Sequence, residues 1–261
     1  MSVAVREKPA YEPRKIDILG FDMDRISVPE LLNWCHSQQT PQHIVTLNLN
    51  YLTLVKKLPK LDSVVKSADM VVADAMPLVR VAGWLKQPFP EKITGHDLVD
   101  TCSEYASKHD LGVFFLGGAP GVADAAAQAQ ADRYPGLRIM GTDHGGFDAD
   151  GIPERRDELI KTIKDFEPHF LFVALGCPKQ DYFIAAHRDE LNVPISSGIG
   201  CVFDVLAGRI NRAPQWMQNA SLEWLFQMLQ EPKRLWKRFI LGCIPTAFRL
   251  AWFALKAKLR G

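Results

Sequence analysis

Short apolar runs rich in β-branched and aromatic residues alternate along the chain with longer segments whose apolar positions recur three and four residues apart. The short runs predict strands at Lys15–Leu19, His43–Leu47, Met70–Ala73, Val113–Leu116, Leu137–Met140, Phe170–Leu175 and Pro194–Ser197. The longer segments predict helices at Val28–Ser37, Pro59–Ser67, Pro77–Leu85, His96–His109, Val122–Tyr134, Pro153–Asp165 and Pro178–Asp189. Such alternation predicts an α/β fold, a Rossmann-like, mostly parallel sheet with helices on both faces. The pattern divides the chain into three. Residues 1–14 lack the apolar core of a signal peptide and read as a disordered tail. Residues 15–209 form the α/β core, and residues 210–261, with no further strand, form a basic helical appendage.

Composition adds one asymmetry. Of the 261 residues, 47% are hydrophobic and 23% charged, as in an ordinary globular protein. The net charge of +1 argues against a nucleic-acid partner, but from Glu231 onward eight basic residues face one acid, so that segment carries +7 and the remainder −6. Five scattered cysteines without a CxxC pair fit reduced thiols rather than a disulfide framework. The apolar stretch Phe239–Leu255 is interrupted by Gly242, Pro245 and Arg249, which predicts a poor spanning helix, kinked or broken at the proline. At about 100° per residue, Arg234, Arg238, Arg249, Lys256 and Arg260 fall within an arc of roughly 80°. Trp236, Phe239, Ile240, Leu250 and Phe253 lie mostly outside it. A basic stripe beside an aromatic-rich surface suits a helix lying on an anionic bilayer, with Arg238, Arg249, Lys256 and Arg260 at the membrane. A solvated charged face is the competing explanation.

In open parallel sheets ligands sit beyond the carboxyl ends of the strands, so the residues there are the candidates for chemistry. Thr46, Asn48 and Asn50 follow the second strand, and could equally satisfy loop backbone groups. Asp74 ends an apolar strand, where a carboxylate can act as a general base or merely cap the helix starting near Pro77. Gly117 and Gly118 open a glycine cluster whose backbone N–H groups could hold a phosphate, or which could simply allow a tight turn. Cys177 and Gln180 follow the Phe170–Leu175 strand; Cys177 has no evident partner base and reads as a small filler. Asp22-Met23-Asp24 reads as a strand-to-helix turn. No metal or cofactor is expected.

An ordered series of short motifs then resembles the WecG/TagA/CpsF glycosyltransferase family, glycosyltransferase family 26. It comprises Thr46-Leu47-Asn48, Ala73-Asp74-Ala75-Met76, Thr94-Gly95-His96-Asp97-Leu98, Leu116-Gly117-Gly118, His144-Gly145-Gly146-Phe147 and Gly176-Cys177-Pro178-Lys179-Gln180-Asp181. It continues through Gly198-Ile199-Gly200, Phe203-Asp204, Gly208, Arg212-Ala213-Pro214, Leu222-Glu223-Trp224-Leu225 and Glu231-Pro232-Lys233-Arg234, covering roughly residues 16–240. The resemblance implies an inverting transfer from a uridine-diphosphate sugar to a polyprenyl-diphosphate-linked saccharide in bacterial surface-polysaccharide assembly. It implies a peripheral enzyme on the cytoplasmic face of the inner membrane, with its tail helices docked over the site. UDP-glucose, UDP-N-acetylmannosamine and its uronate are all eligible donors, and a homo-oligomer stays open. The resemblance further implies a catalytic base at Asp74, with Thr46 and Gln180 beside it. Substrate binding falls to Asn48, Lys92, Asp97, Gly117, Gly118, Arg212, Arg234 and Lys237, and no metal is needed. Four positions depart from the pattern: Ala75 where glycine is common, Lys92 and Lys237 where arginine is common, and Gln227 where a charge is lost. Two other classes compete: a nucleotide-dependent oxidoreductase, for which Leu19-Gly20-Phe21-Asp22-Met23 supplies no dinucleotide fingerprint, and a non-catalytic membrane adaptor, which leaves the strand-end polar residues without a task.

Overall fold

The computed structural model describes residues 14–148, 152–214, 216–217 and 222–260, without the side chains of Arg234 and Arg260. All but Arg14 of the expected N-terminal tail lies outside these residues. The strands are β1 (Lys15–Ile18), β2 (Phe21–Asp24), β3 (Gln42–Leu47), β4 (Met70–Ala73), β5 (Gly112–Gly117), β6 (Arg138–Asp143), β7 (Phe170–Ala174) and β8 (Ile195–Gly198). Six of them form one parallel sheet in the order β4-β3-β8-β7-β5-β6. Strands β4, β5 and β7 read as continuous apolar runs because both of their faces are covered. Alternate residues serve opposite layers: Val113 and Phe115 of β5 join Phe170 and Phe172 of β7 in one core, while Phe114 and Leu116 join Leu171 and Val173 in another.

Helices α1 (Val28–Ser37), α2 (Leu49–Leu54), α3 (Pro59–Lys66), α4 (Met76–Trp84), α5 (Gly95–His109), α6 (Val122–Arg133), α7 (Arg156–Phe166), α8 (Lys179–Leu191) and α9 (Val202–Leu206) flank the sheet. Leu31, Leu98, Val99, Ala126 and Phe203, from α1, α5, α6 and α9, pack on one face. The opposite face is covered by α2, α3 and α4 over β3 and β4, and by α7 and α8 over β5 and β7. The chain order reverses twice, with β4 outside and β8 inside β3, and β6 outside and β7 inside β5. Crevices above such reversals are where these sheets bind ligands.

Two expectations are corrected. The first strand does not join the parallel sheet. It pairs antiparallel with Phe21–Asp24, so Asp22-Met23-Asp24 is a strand and not a turn. Leu19 (φ 60°) and Gly20 (φ 89°) make the two-residue hairpin turn, a left-handed conformation that leucine rarely adopts and that the sequence therefore conceals. The buried Asp24 carboxylate accepts the Val71 N–H at 2.9 Å, on the outer edge of β4. The stretch expected to break at Gly242, Pro245 and Arg249 also stays helical. After α10 (Glu223–Gln230) and α11 (Pro232–Arg238), a π-helical turn at Phe239–Cys243 leads into α12 (Ile244–Arg260). The wider turn just before Pro245 accommodates the ring and the missing N–H, so the proline is absorbed rather than disruptive. Gly242 lets this turn approach α2, where a Cβ would lie 3.1 Å from Thr53 Cγ2.

Leu235–Leu259 is accordingly one helical run of 25 residues, long and apolar enough to cross a membrane by length and composition. One face points inward. Leu250 and Ala254 join the core of α2 and α4, and Leu235, Phe239 and Cys243 pack with Leu49 and Trp224. Thr246 and Thr53 hydroxyls meet at 2.8 Å. The other face exposes Trp236, Ile240, Leu241, Phe248, Trp252, Leu255 and Leu259. The apolar surface expected from the helical wheel is thus split, Phe239 and Leu250 facing the core and Trp236 and Ile240 facing out.

Candidate functional site

Thr46, Asn48 and Asp74 converge because of strand parity. Thr46 is paired with Val72 in the β3–β4 register, so residues 46, 48 and 74 all project from the same side of the sheet's carboxyl edge. Asp74 does not cap the following helix, whose N-cap is Ala75. Its carboxylate instead accepts the Asn48 side-chain amide at 3.1 Å, and its N–H continues the sheet ladder to Leu47. Asn48 works in two directions, because its Oδ1 also caps α2 by accepting the N–H groups of Asn50 and Tyr51 at 3.0 and 3.3 Å. Thr46 is buried in β3. Burial pushes the Asp74 carboxyl up to about 8; the Asn48 bond and Lys92 oppose the rise, and Glu223 and Asp97 add to it.

The segment after Lys92 runs beside β4, with Ile93 N–H bonded to Ala73 C=O. This brings Lys92 to the Asp74 end of the sheet, where its ammonium lies 3.6 Å from the Glu223 carboxylate on α10. Thr94 and Asp97 form a reciprocal capping box at the start of α5, with Asp97 Oδ2 accepting from Thr94 N and Oγ1 at 3.0 and 2.7 Å. The other Asp97 oxygen meets Arg212 at 3.5 Å. Asp97 therefore orders a helix start as well as a guanidinium. Between these groups His96 is held neutral, its pKa lowered to about 4 by burial and by Arg212 and Lys92.

Gln180 reaches the same region from α8. It is 2% exposed, with its Oε1 accepting Gly200 N–H at 3.0 Å and its Nε2 donating to the Tyr51 hydroxyl at 3.0 Å. Tyr51 in turn donates to the buried Asp181. Burial raises the Cys177 thiol well above its ordinary range, as expected of a filler rather than a nucleophile. Gly117 and Gly118 stand apart, with β3, β8 and β7 between β4 and β5. At about 4.8 Å per strand they are roughly 19 Å from Asp74. Both take positive φ, and a Cβ on Gly117 would lie 2.7 Å from Ala174 C=O. Gly118 N–H bonds that same carbonyl. The tight-turn requirement is therefore real, and one backbone donor is already used.

In the appendage Lys237 and Lys256 lie over the rings of Trp236 and Trp252, at 5.6 and 5.3 Å from the centroids. Arg249 is half-buried. Arg238 interacts with the Cys243 thiol and lies within electrostatic reach of Cys177, which places it toward the loop after β7. The side chains of Arg234 and Arg260 lie outside the described part of the molecule. Site neighbours that sequence reasoning overlooked are Tyr51, Asp181, His96 and Glu223. The last three stood inside quoted motifs; the signal for Tyr51 was its place three residues after the cap at Asn48.

Comparison with known proteins identifies the family. The model of the glycosyl transferase WecG/TagA/CpsF family matches residues 16–260. N-acetylglucosaminyldiphosphoundecaprenol N-acetyl-beta-D-mannosaminyltransferases of Staphylococcus aureus strains MW2 and NCTC 8325 are each 31% identical to the chain over 229 residues, covering 85% of it and 87% of the relative. That of strain MRSA252 is 30% identical over the same length.

Proposed function

Since the chain belongs to the WecG/TagA/CpsF glycosyl transferase family and is a glycosyltransferase, we propose that it moves a hexosyl or N-acetylhexosaminyl group, with inversion, from a UDP-sugar to a polyprenyl-diphosphate-linked saccharide. The activity for which the staphylococcal relatives are named makes N-acetylmannosamine the first donor sugar to test and a GlcNAc-diphosphate lipid the first acceptor. The observation that carries the mechanism is the strand-end Asp74, held by Asn48 and raised to about 8, a value suited to a base working near neutral pH. In this reading Asp74 takes the proton of the acceptor hydroxyl as it attacks the anomeric carbon, and UDP departs. Lys92, Arg212, Arg234 and Lys237 offset the charge that develops on the leaving diphosphate, without a divalent metal. Thr46 and Asn48 order the Asp74 end; Gly117 and Gly118 lie where a nucleotide could extend across the sheet.

We place the enzyme peripherally on the cytoplasmic face, and the appendage supports the peripheral part of that reading. Spanning the bilayer would strip Leu250 and Ala254 from the core, whereas lying flat lets Trp236, Phe248 and Trp252 enter the interface. Lys256 and Lys258, exposed beside them, and Arg249 add about 1 kcal/mol each on an anionic surface.

Asp74→Asn tests the assignment. Turnover should fall by about 10²–10⁴-fold with the donor still bound. A folded Asn variant that retains wild-type turnover removes Asp74 from the mechanism. Turnover should also survive saturating EDTA; loss restored by Mg²⁺ or Mn²⁺ would show a metal-dependent reaction.

A further inference from the structure

Gln180 poses a problem for any direct role. Its amide is buried, its oxygen is held by Gly200 N–H, and its nitrogen donates to Tyr51. Little of it is left to touch a substrate. Its surroundings show what it holds instead. A Cβ on Gly198 would lie 2.5 Å from Gln180 Nε2 and 2.6 Å from Cδ, so the bare glycine backbone is the seat on which the amide rests. On the far side, a Cβ on Gly95 would lie 3.1 Å from Ile199 C=O. The turn at residues 198–200 is thus wedged between Gln180 and the start of α5, the helix that carries His96 and Asp97.

The hydrogen bonds around this amide all run one way. Gly200 N–H donates to Gln180, Gln180 to Tyr51 Oη, and Tyr51 to both carboxylate oxygens of Asp181 at 2.9 and 3.0 Å. Both ends decide the orientation. Gly200 N–H can only donate, which sets the Gln180 oxygen toward it, and Asp181 accepts the phenol hydrogen bond, which leaves the phenol oxygen to accept from the Gln180 nitrogen. Tyr51 belongs to α2, whose N-terminus is capped by Asn48, the partner of Asp74.

Resting on the transferase reading above, we propose that Tyr51, anchored by Asp181, is a positioning residue that acts through Gln180, setting the turn at residues 198–200 against the Asn48–Asp74 end of the site. The chain of contacts joins the two sides of the crevice above β3 through side chains that solvent does not reach. A side-chain network of this kind holds its members to a single arrangement when every partner is present.

A double-mutant cycle on the full-length enzyme tests this, with kcat and donor KM measured for Tyr51→Phe, Gln180→Ala and the pair, and folding followed by thermal unfolding. Tyr51→Phe should lower kcat by about 10–100-fold, the scale of a small misplacement at a reacting centre, with donor KM changed little. In the Gln180→Ala background the same substitution should cost nothing further, because the residue it acts through is gone. Gly198→Ala, which leaves Tyr51 and Asp181 intact but unseats the amide, should reproduce the kcat loss. Multiplicative losses in the double variant, or wild-type kcat in Gln180→Ala or in Gly198→Ala, overturn the proposal. So does a Tyr51→Phe loss that merely follows the folded fraction. Absence of transfer by the wild-type enzyme would count against the transferase reading, not against this coupling.

Discussion

The two reversal points of the sheet are built from different materials. Above β3 the crevice is lined by side chains: Asn48 on Asp74, Lys92 against Glu223, Asp97 against Arg212. Above β5 it is made of backbone, where Gly117 and Gly118 turn so tightly over Ala174 that no side chain fits at Gly117. Side chains can titrate, donate charge and be retuned singly, whereas a glycine turn offers only shape and N–H groups. On the proposed reading, proton transfer falls to the β3 end, and the β5 end would hold a ligand without reacting with it.

Kinetics can break that division. The largest effect should be the loss of kcat in Asp74→Asn. Gly117→Ala should instead damage the fold or donor KM: the left-handed φ costs on the order of 1–3 kcal/mol, and the carbonyl contact adds to it. A lowered thermal midpoint with kcat per folded molecule preserved is expected, and a kcat loss like that of Asp74→Asn would erase the distinction. The charges around Asp74 sharpen it further. Turnover should rise with pH through about 8 as the carboxyl ionises. Lys92→Ala removes a cation that favours the carboxylate, so this limb should move to higher pH. Glu223→Gln removes an anion that opposes it, so the limb should move lower. Profiles unmoved by either change would detach both residues from Asp74. Stability gives a smaller signal of the same kind. A carboxyl raised in the folded state contributes stability below the ordinary carboxylate range and loses it as pH rises through about 8. Asp74→Asn should therefore unfold at a higher temperature than wild type at pH 9, with the gap closing near pH 4. The smallest effect concerns the outer face of the appendage. Phe248→Glu with Trp252→Glu should weaken co-sedimentation with anionic liposomes, most visibly at low salt, and leave turnover on a soluble acceptor intact.

Much of this was legible from the chain. The apolar runs at residues 113–116 and 170–175 mark buried strands because parallel strands between two helical layers need apolar residues on both faces. The strand-end position of Asp74 likewise follows from pattern alone. The β1–β2 hairpin did not, since Leu19 adopts a conformation that its side chain disfavours. Nor did the helix at Leu49–Leu54, which is short and begins at an asparagine that also reads as a loop residue. The continuity of the tail through Pro245 depends on a π-turn that has no sequence signature. Glu223 reaches the site from a distant segment, and Tyr51, though near Asn48 in the chain, meets Gln180 and Asp181 only through tertiary packing.

The contact between Asp24 and Val71 also bears on how copies of this molecule can meet. An exposed outer strand is a template on which another chain can extend a sheet, and a side-chain acceptor seated on one of its N–H groups interrupts that template. The N-terminal hairpin packs against β4 and its buried carboxylate occupies the Val71 donor, so growth of the sheet is closed on that side. The crevice above β3 is therefore left unobstructed by any neighbour that would have extended the sheet through β4.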